Sequence, residues 1–174
     1  MLNQKKNKYV IFAASVGGHY KEMMGLKELF SRYNSILVTD NKAATDQLEI
    51  QKLFHAIEFA NAMSDNRERN AGKQSKGTRW TSLSAYLMMF YQCIRIVRKY
   101  KPAVIISTGS YLAVPLFWWG KLYGAKLIFI ESNAMVYNKT STGKLVGWVS
   151  DKVIVQWPEM LKVYPKAEYL GVLS

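Results

Sequence analysis

Short runs of residues that are apolar throughout, rather than alternating with polar ones, recur along this chain between segments of helical character. Tyr9 to Ala14, Ser35 to Thr39, Ala103 to Ser107, Lys126 to Ile130 and Lys152 to Gln156 have this property, and His55 to Phe59 is a weaker sixth run. A strand with one wet face alternates; a strand covered on both faces has no polar side to show. Helices are expected between them, at about Tyr20 to Arg32, Ala43 to Leu53, Thr81 to Tyr100, Tyr111 to Tyr123 and Thr142 to Val149. Strand and helix in alternation predict an α/β fold, a Rossmann-like doubly wound parallel sheet with right-handed crossovers. With 174 residues, 49% of them hydrophobic, and no internal repeat, a single domain spanning 1–174 is expected.

Charge narrows the partners. Twenty-four Lys and Arg against 12 Asp and Glu leave a net charge of +12, which favours phosphate, phospholipid or nucleic acid. One cysteine, Cys93, excludes an internal disulfide framework, and two histidines are too few for a structural zinc cluster, so a reducing, cytoplasmic setting fits. Lys5, Lys6 and Lys8 before the apolar run at Tyr9 have the look of a signal peptide. The run is short, however, and breaks into Gly17-Gly18-His19, so a buried strand is the reading adopted. No stretch approaches the ~20 apolar residues of a membrane-spanning helix.

One segment departs from the alternation. Asn61 to Arg79 is nearly devoid of apolar side chains and carries Arg67, Arg69, Lys73, Lys76 and Arg79. It reads as a surface loop, either a solvated insertion or, beside the aromatic helix that holds Trp80 and Phe90, a contact for an anionic bilayer. That helix is open to three readings: membrane contact, interface with a partner, or ordinary core.

Three polar turns follow expected strands. Ser15-Val16-Gly17-Gly18-His19 leaves the first strand, and paired glycines there allow close approach of a ligand to the backbone. A tight turn with no ligand is the alternative. His19 adds a group able to act as general base or as donor to phosphate. Thr108-Gly109-Ser110-Tyr111 follows the fourth strand and suits contact with phosphate or sugar hydroxyls, with helix capping as the alternative. Glu131-Ser132-Asn133 ends the fifth. Turns at the carboxyl ends of parallel strands converge on one crevice, where open α/β sheets bind ligands. The GxGxxG dinucleotide fingerprint is absent, and Asp40 is the one acidic residue placed as a ribose reader would be. No GxSxG elbow or catalytic carboxylate pair is present, and Glu131, Asp40 and Asp151 form no recognisable metal set.

Gly17-Gly18-His19, Thr108-Gly109-Ser110-Tyr111 with Pro115, and Glu131-Ser132-Asn133, in this order, resemble the acceptor-side, N-terminal half of a GT-B glycosyltransferase of the MurG kind. In length and detail the chain is similar to PssD-type proteins of bacterial capsule and exopolysaccharide synthesis. These in turn are similar to the membrane-anchoring subunit of the two-part GlcNAc transferase of the dolichol pathway. The resemblance runs from about Tyr9 to Val172. It implies half of an inverting transferase, inactive alone and peripheral on the cytoplasmic face of the membrane. A PssE-type partner would hold the UDP-sugar, and the acceptor would be a polyprenyl-pyrophosphate-linked saccharide. Ser15, Gly17, Gly18, His19, Thr108, Gly109, Ser110, Tyr111, Glu131 and Asn133 would line the acceptor cleft, with His19 the candidate base. The resemblance implies no metal and no cofactor. Ser15-Val16 and Ser110 replace glycine-rich positions of single-chain relatives, which leaves a non-catalytic adaptor as the alternative. A nucleic-acid-binding protein is a remote one, since no reader motif accompanies the charge.

Overall fold

The computed structural model describes residues 8–15, 17–40, 48–60 and 79–173. Seven strands form one sheet: β1 Tyr9–Ala13, β2 Asn34–Thr39, β3 Ala56–Phe59, β4 Val104–Ser107, β5 Lys126–Ile130, β6 Lys152–Val155 and β7 Glu168–Tyr169. Every pairing is parallel and the spatial order is β3-β2-β1-β4-β5-β6-β7. The chain therefore builds outward from β1 to β3, returns to pair β4 with the other side of β1, and builds outward again. That reversal is a topological switch point, and the connections leaving β1 and β4 diverge there to open a crevice at the carboxyl edge.

Continuous apolarity of the strands has a direct cause. Along β1, Ile11 and Ala13 enter one core while Val10 and Phe12 enter the other, and Ile36 and Val38 of β2 are likewise divided from Leu37. The first core is closed by α4 Arg79–Tyr100, α5 Ala113–Leu122 and α6 Ser141–Val146. The second is closed by α1 Gly18–Met24, α2 Lys27–Phe30 and α3 Leu48–Leu53. Phe12 meets Phe30 edge to face at 4.8 Å between centroids, and Phe117 meets Phe129 at 6.4 Å on the opposite side. Each such side chain contributes about 1.5–3 kcal/mol by leaving water.

The six expected strands are present. The helix expected over Tyr20 to Arg32 is broken, because the backbone turns at Gly25 and Leu26 and restarts as α2. The helix expected from Tyr111 starts at Ala113, and the one expected over Thr142 to Val149 is Ser141–Val146. β7 was not expected: two exposed residues on the sheet edge carry no hydrophobic pattern.

Of the three readings open for the 22-residue helix α4, the structure answers the one for core, on one side of the helix. Met89, Cys93, Ile96, Val97 and Tyr100 are core, while Leu83, Tyr86, Leu87, Met88 and Tyr91 stand exposed on its other side. Tyr100 Oη and Lys99 Nζ both donate to Glu58 Oε1, at 2.6 and 2.7 Å, and tie the helix's last turn to the edge strand β3. Among the described residues no helix is long and apolar enough to cross a membrane.

Burial pushes the Cys93 thiol up to about 12. The native protein is therefore expected to resist maleimide and to take up one equivalent only on denaturation, which intact-mass measurement of labelled samples checks.

Candidate functional site

The site is built from three turns at the carboxyl edge of β1, β4 and β5. In the first, Gly17 at φ 101° takes a backbone conformation that side chains disfavour, and α1 begins at once with Gly18 and His19. The second repeats the device with Gly109 at φ 105°. Two reciprocal hydrogen bonds join them. His19 Nδ1 lies 2.7 Å from the Thr108 carbonyl oxygen, and Thr108 Oγ1 donates to the His19 carbonyl at 2.7 Å. Ser15 Oγ and Ser110 Oγ are 2.6 Å apart, and Ser110 Oγ also accepts the Leu112 amide at 3.2 Å.

This arrangement fixes the histidine. A carbonyl only accepts, so Nδ1 must donate, and in the neutral imidazole the lone pair then sits on Nε2. Among the described residues Nε2 has no hydrogen-bond partner. The ring lies against Gly109, where an added Cβ would be 2.9 Å from His19 Cε1. Gly109 is thus required twice, for its backbone angle and for the space the imidazole occupies. Tyr111 turns toward β2, its hydroxyl donating to Asp40 Oδ2 at 2.8 Å.

The third turn corrects one expectation. Glu131 does not line the crevice: its side chain is buried beneath the loop, 1% exposed. Oε1 accepts the Ser132 amide at 3.1 Å, and Oε2 accepts the Thr140 amide at 3.2 Å and Tyr164 Oη at 2.6 Å. Burial, and then the Glu131 carboxylate itself, holds the Tyr164 phenol protonated well above the usual tyrosine range, so it remains a donor. Gly143 opposes this pair so closely that a Cβ there would overlap both. Glu131 therefore shapes the loop, and Asn133 is the residue the loop presents.

Two residues that sequence reasoning missed hold Asn133. Glu22 Oε1, one turn beyond His19 on α1, accepts Ser132 Oγ at 3.0 Å and the Asn133 amide at 2.9 Å. Trp157 Nε1 donates to the Asn133 carbonyl at 2.7 Å. The i, i+3 spacing of His19 and Glu22 put both on one face of a helix leaving the turn, and that was the available signal. Buried Gln156 adds a further tie, donating to the Glu131 carbonyl at 3.0 Å while accepting the Leu173 amide at 2.8 Å.

Ser15, Gly17, Gly18, His19, Thr108, Gly109 and Ser110 are thus drawn into one body, and Asn133 joins it through Glu22. Of the expected membrane contacts, Arg67, Arg69, Lys73 and Lys76 lie outside the described residues, and Arg79 and Trp80 are described only as the start of α4. Phe90 turns inward: it is half-buried against the core, and its carbonyl accepts the Trp119 indole N–H at 3.2 Å. At the other end of the helices, Trp118, Leu122 and Trp148 line a shallow apolar groove beside Lys121. Among the described residues no group of three or more His, Cys, Asp and Glu side chains is placed to hold a metal ion.

A parallel sheet with its polar turns gathered at the switch point defines a doubly wound, Rossmann-like α/β domain, and solved structures agree on the fold. MurG of Acinetobacter baumannii superposes with a TM-score of 0.72 at 16% identity, over 96% of this chain and 46% of that one. The calicheamicin glycosyltransferase CalG4 gives 0.59 at 12% identity, over 95% and 53%. This chain spans about half the length of either. Residues 9–173 match the family described as oligosaccharide biosynthesis protein Alg14 like, and the chain belongs to that family. The protein named UDP-N-acetylglucosamine transferase subunit ALG14 of Yarrowia lipolytica is 28% identical over 170 residues, 90% of this chain and 77% of its own. Its counterpart in Rattus norvegicus is 25% identical over 181 residues, 93% and 81%.

Substituting Gly109→Ala is expected to displace the His19 ring without unfolding the sheet. Imidazole nitrogen resonances should show a protonated Nδ1 in the native protein and a mixture of tautomers in the variant.

Proposed function

We propose that this chain is the acceptor-side half of a two-chain inverting glycosyltransferase. The observation that carries the reading is His19: a half-buried imidazole at the switch point, held through Nδ1 so that Nε2 is left as a base. In this reading a hydroxyl of a polyprenyl-pyrophosphate-linked saccharide sits at the turns of Gly17, Gly18, Thr108 and Ser110. Its oxygen attacks the anomeric carbon of a UDP-sugar bound on a PssE-type partner. The C–O bond to the diphosphate breaks as the new glycosidic bond forms, UDP leaves with the bonding pair, and the hydroxyl proton passes to His19 Nε2. A transferase of the two-domain kind needs a second α/β domain for its donor, and the chain matches 46% of the MurG chain's length. The relatives that bear the name of a GlcNAc transferase subunit support the same division. The reaction would serve capsule or exopolysaccharide assembly.

Membrane contact is the second element of the proposal. Leu83, Tyr86, Leu87 and Tyr91 form an exposed apolar side of α4, the helix that follows the basic stretch 61–79 in sequence, which suits a peripheral position on the anionic cytoplasmic leaflet. Vesicle cosedimentation is expected to fall as salt rises, since exposed charges are screened over ~8–10 Å near physiological ionic strength. Binding indifferent to both salt and lipid charge would leave only apolar insertion.

The adaptor reading has one observation in its favour: the hydroxyls of Ser15, Thr108 and Ser110 already satisfy one another or the backbone. One experiment separates the two. The chain is copurified with its partner from detergent-solubilised cells, and transfer from UDP-sugars to polyprenyl-pyrophosphate acceptors is assayed. His19→Ala is expected to lower kcat by about 10²–10⁴, the range for removal of a general base. Unchanged turnover with the complex intact assigns the adaptor role instead.

A further inference from the structure

We propose that Glu22 is a positioning residue of this site and that it holds the Asn133 carboxamide ready for ligand. The activity part of this proposal rests on the acceptor-site reading above; the structural part does not. Glu22 Oε1 spans from α1 to the third turn and takes two donors there, Ser132 Oγ at 3.0 Å and the Asn133 amide at 2.9 Å. From the other side Trp157 Nε1 reaches the Asn133 carbonyl at 2.7 Å. Both polar atoms of the Asn133 main chain are therefore engaged. Its carboxamide makes no hydrogen bond among the described residues and can offer both a donor and an acceptor to a saccharide. His19 and Glu22 lie three residues apart on α1, so one short helix carries the base and the strut, and the turns of β1 and β5 are set relative to each other through it.

The second oxygen of the same carboxylate distinguishes this role from a charge effect. Glu22 Oε2 is buried and, among the described residues, has no hydrogen-bond partner. A buried acceptor left empty costs stability, and such exceptions concentrate where geometry serves function. What the site uses is one oxygen accepting two bonds, and glutamine supplies that oxygen as well. Its amide nitrogen would occupy the place of the oxygen that has no partner.

The experiment compares Glu22→Ala and Glu22→Gln in the complex with the partner, after thermal melts confirm folding. Amide exchange at Asn133 is read alongside kcat and KM for the lipid-linked acceptor. In Glu22→Ala the Asn133 amide is expected to lose protection and kcat/KM to fall by up to about a hundredfold, chiefly through KM, the scale of a misplacement near 1 Å. Glu22→Gln is expected to restore both. Retained protection and an unchanged KM in Glu22→Ala overturn the proposal, and so does a Glu22→Gln variant as impaired as the alanine one. Should Glu22→Ala fail to fold, Ser132→Ala and Trp157→Phe each remove one tie. Wild-type exchange and KM in both would also overturn it. If the wild-type complex transfers no sugar, the acceptor reading fails while the exchange data still decide whether Glu22 holds the turn.

Discussion

The reciprocal pair between His19 and Thr108 is the contact on which the rest of the site depends. Two bonds of 2.7 Å, each from a side chain to the other residue's carbonyl, join turns that lie 89 residues apart in sequence. Parallel pairing of β1 with β4 brings the turns side by side but leaves their orientation free. The pair removes that freedom: each side chain satisfies a backbone acceptor of the other turn, so neither can rotate without orphaning a part-buried carbonyl. Gly109 is the space this closure needs, and Ser15 with Ser110 repeats it one step further out.

Against this frame the third turn is held differently. It has no contact of the His19 and Thr108 kind; it is suspended between carboxylates, Glu22 in front and Glu131 behind. Buried Glu131 has its carboxylate oxygens satisfied by the Ser132 and Thr140 amides and the Tyr164 hydroxyl, the condition for burying a polar group. With its amide and carbonyl both engaged, Asn133 loses little order when a ligand arrives, and the cost of fixing it has been met in folding.

Much of this was legible in the sequence. Apolar runs without alternation gave the parallel strands, because residue period two distributes them between two cores, as Val10, Ile11, Phe12 and Ala13 do. The turns at Gly17 and Gly109 were visible since only glycine adopts those angles without strain. A carboxylate after a strand invites a place in the crevice for Glu131; its partners Thr140 and Tyr164 lie 9 and 33 residues on, and no local pattern announces them. Phe90 was assigned to a bilayer because an aromatic helix shows its composition and conceals its orientation until α5 packs on it. Glu22 was missed for the same reason: its importance lies in residues 110 and 111 positions away.

The strand order also dictates when the site can exist. β1 pairs with β2 soon after both are made, yet its other edge waits for β4, and the Ser107 hydroxyl closes onto the Ala13 carbonyl across 94 residues. Contacts this distant are slow to form because the chain entropy of closing the loop is spent before the pairing returns it. Until then β1, an interior strand of the finished sheet, is an edge strand, apolar on both faces and with a row of open hydrogen-bonding groups, the kind of edge most prone to pair with another chain. A chain emerging from the ribosome carries that hazard through the whole synthesis of the basic stretch and α4. Charge repulsion at +12 is well suited to keep such half-built molecules apart.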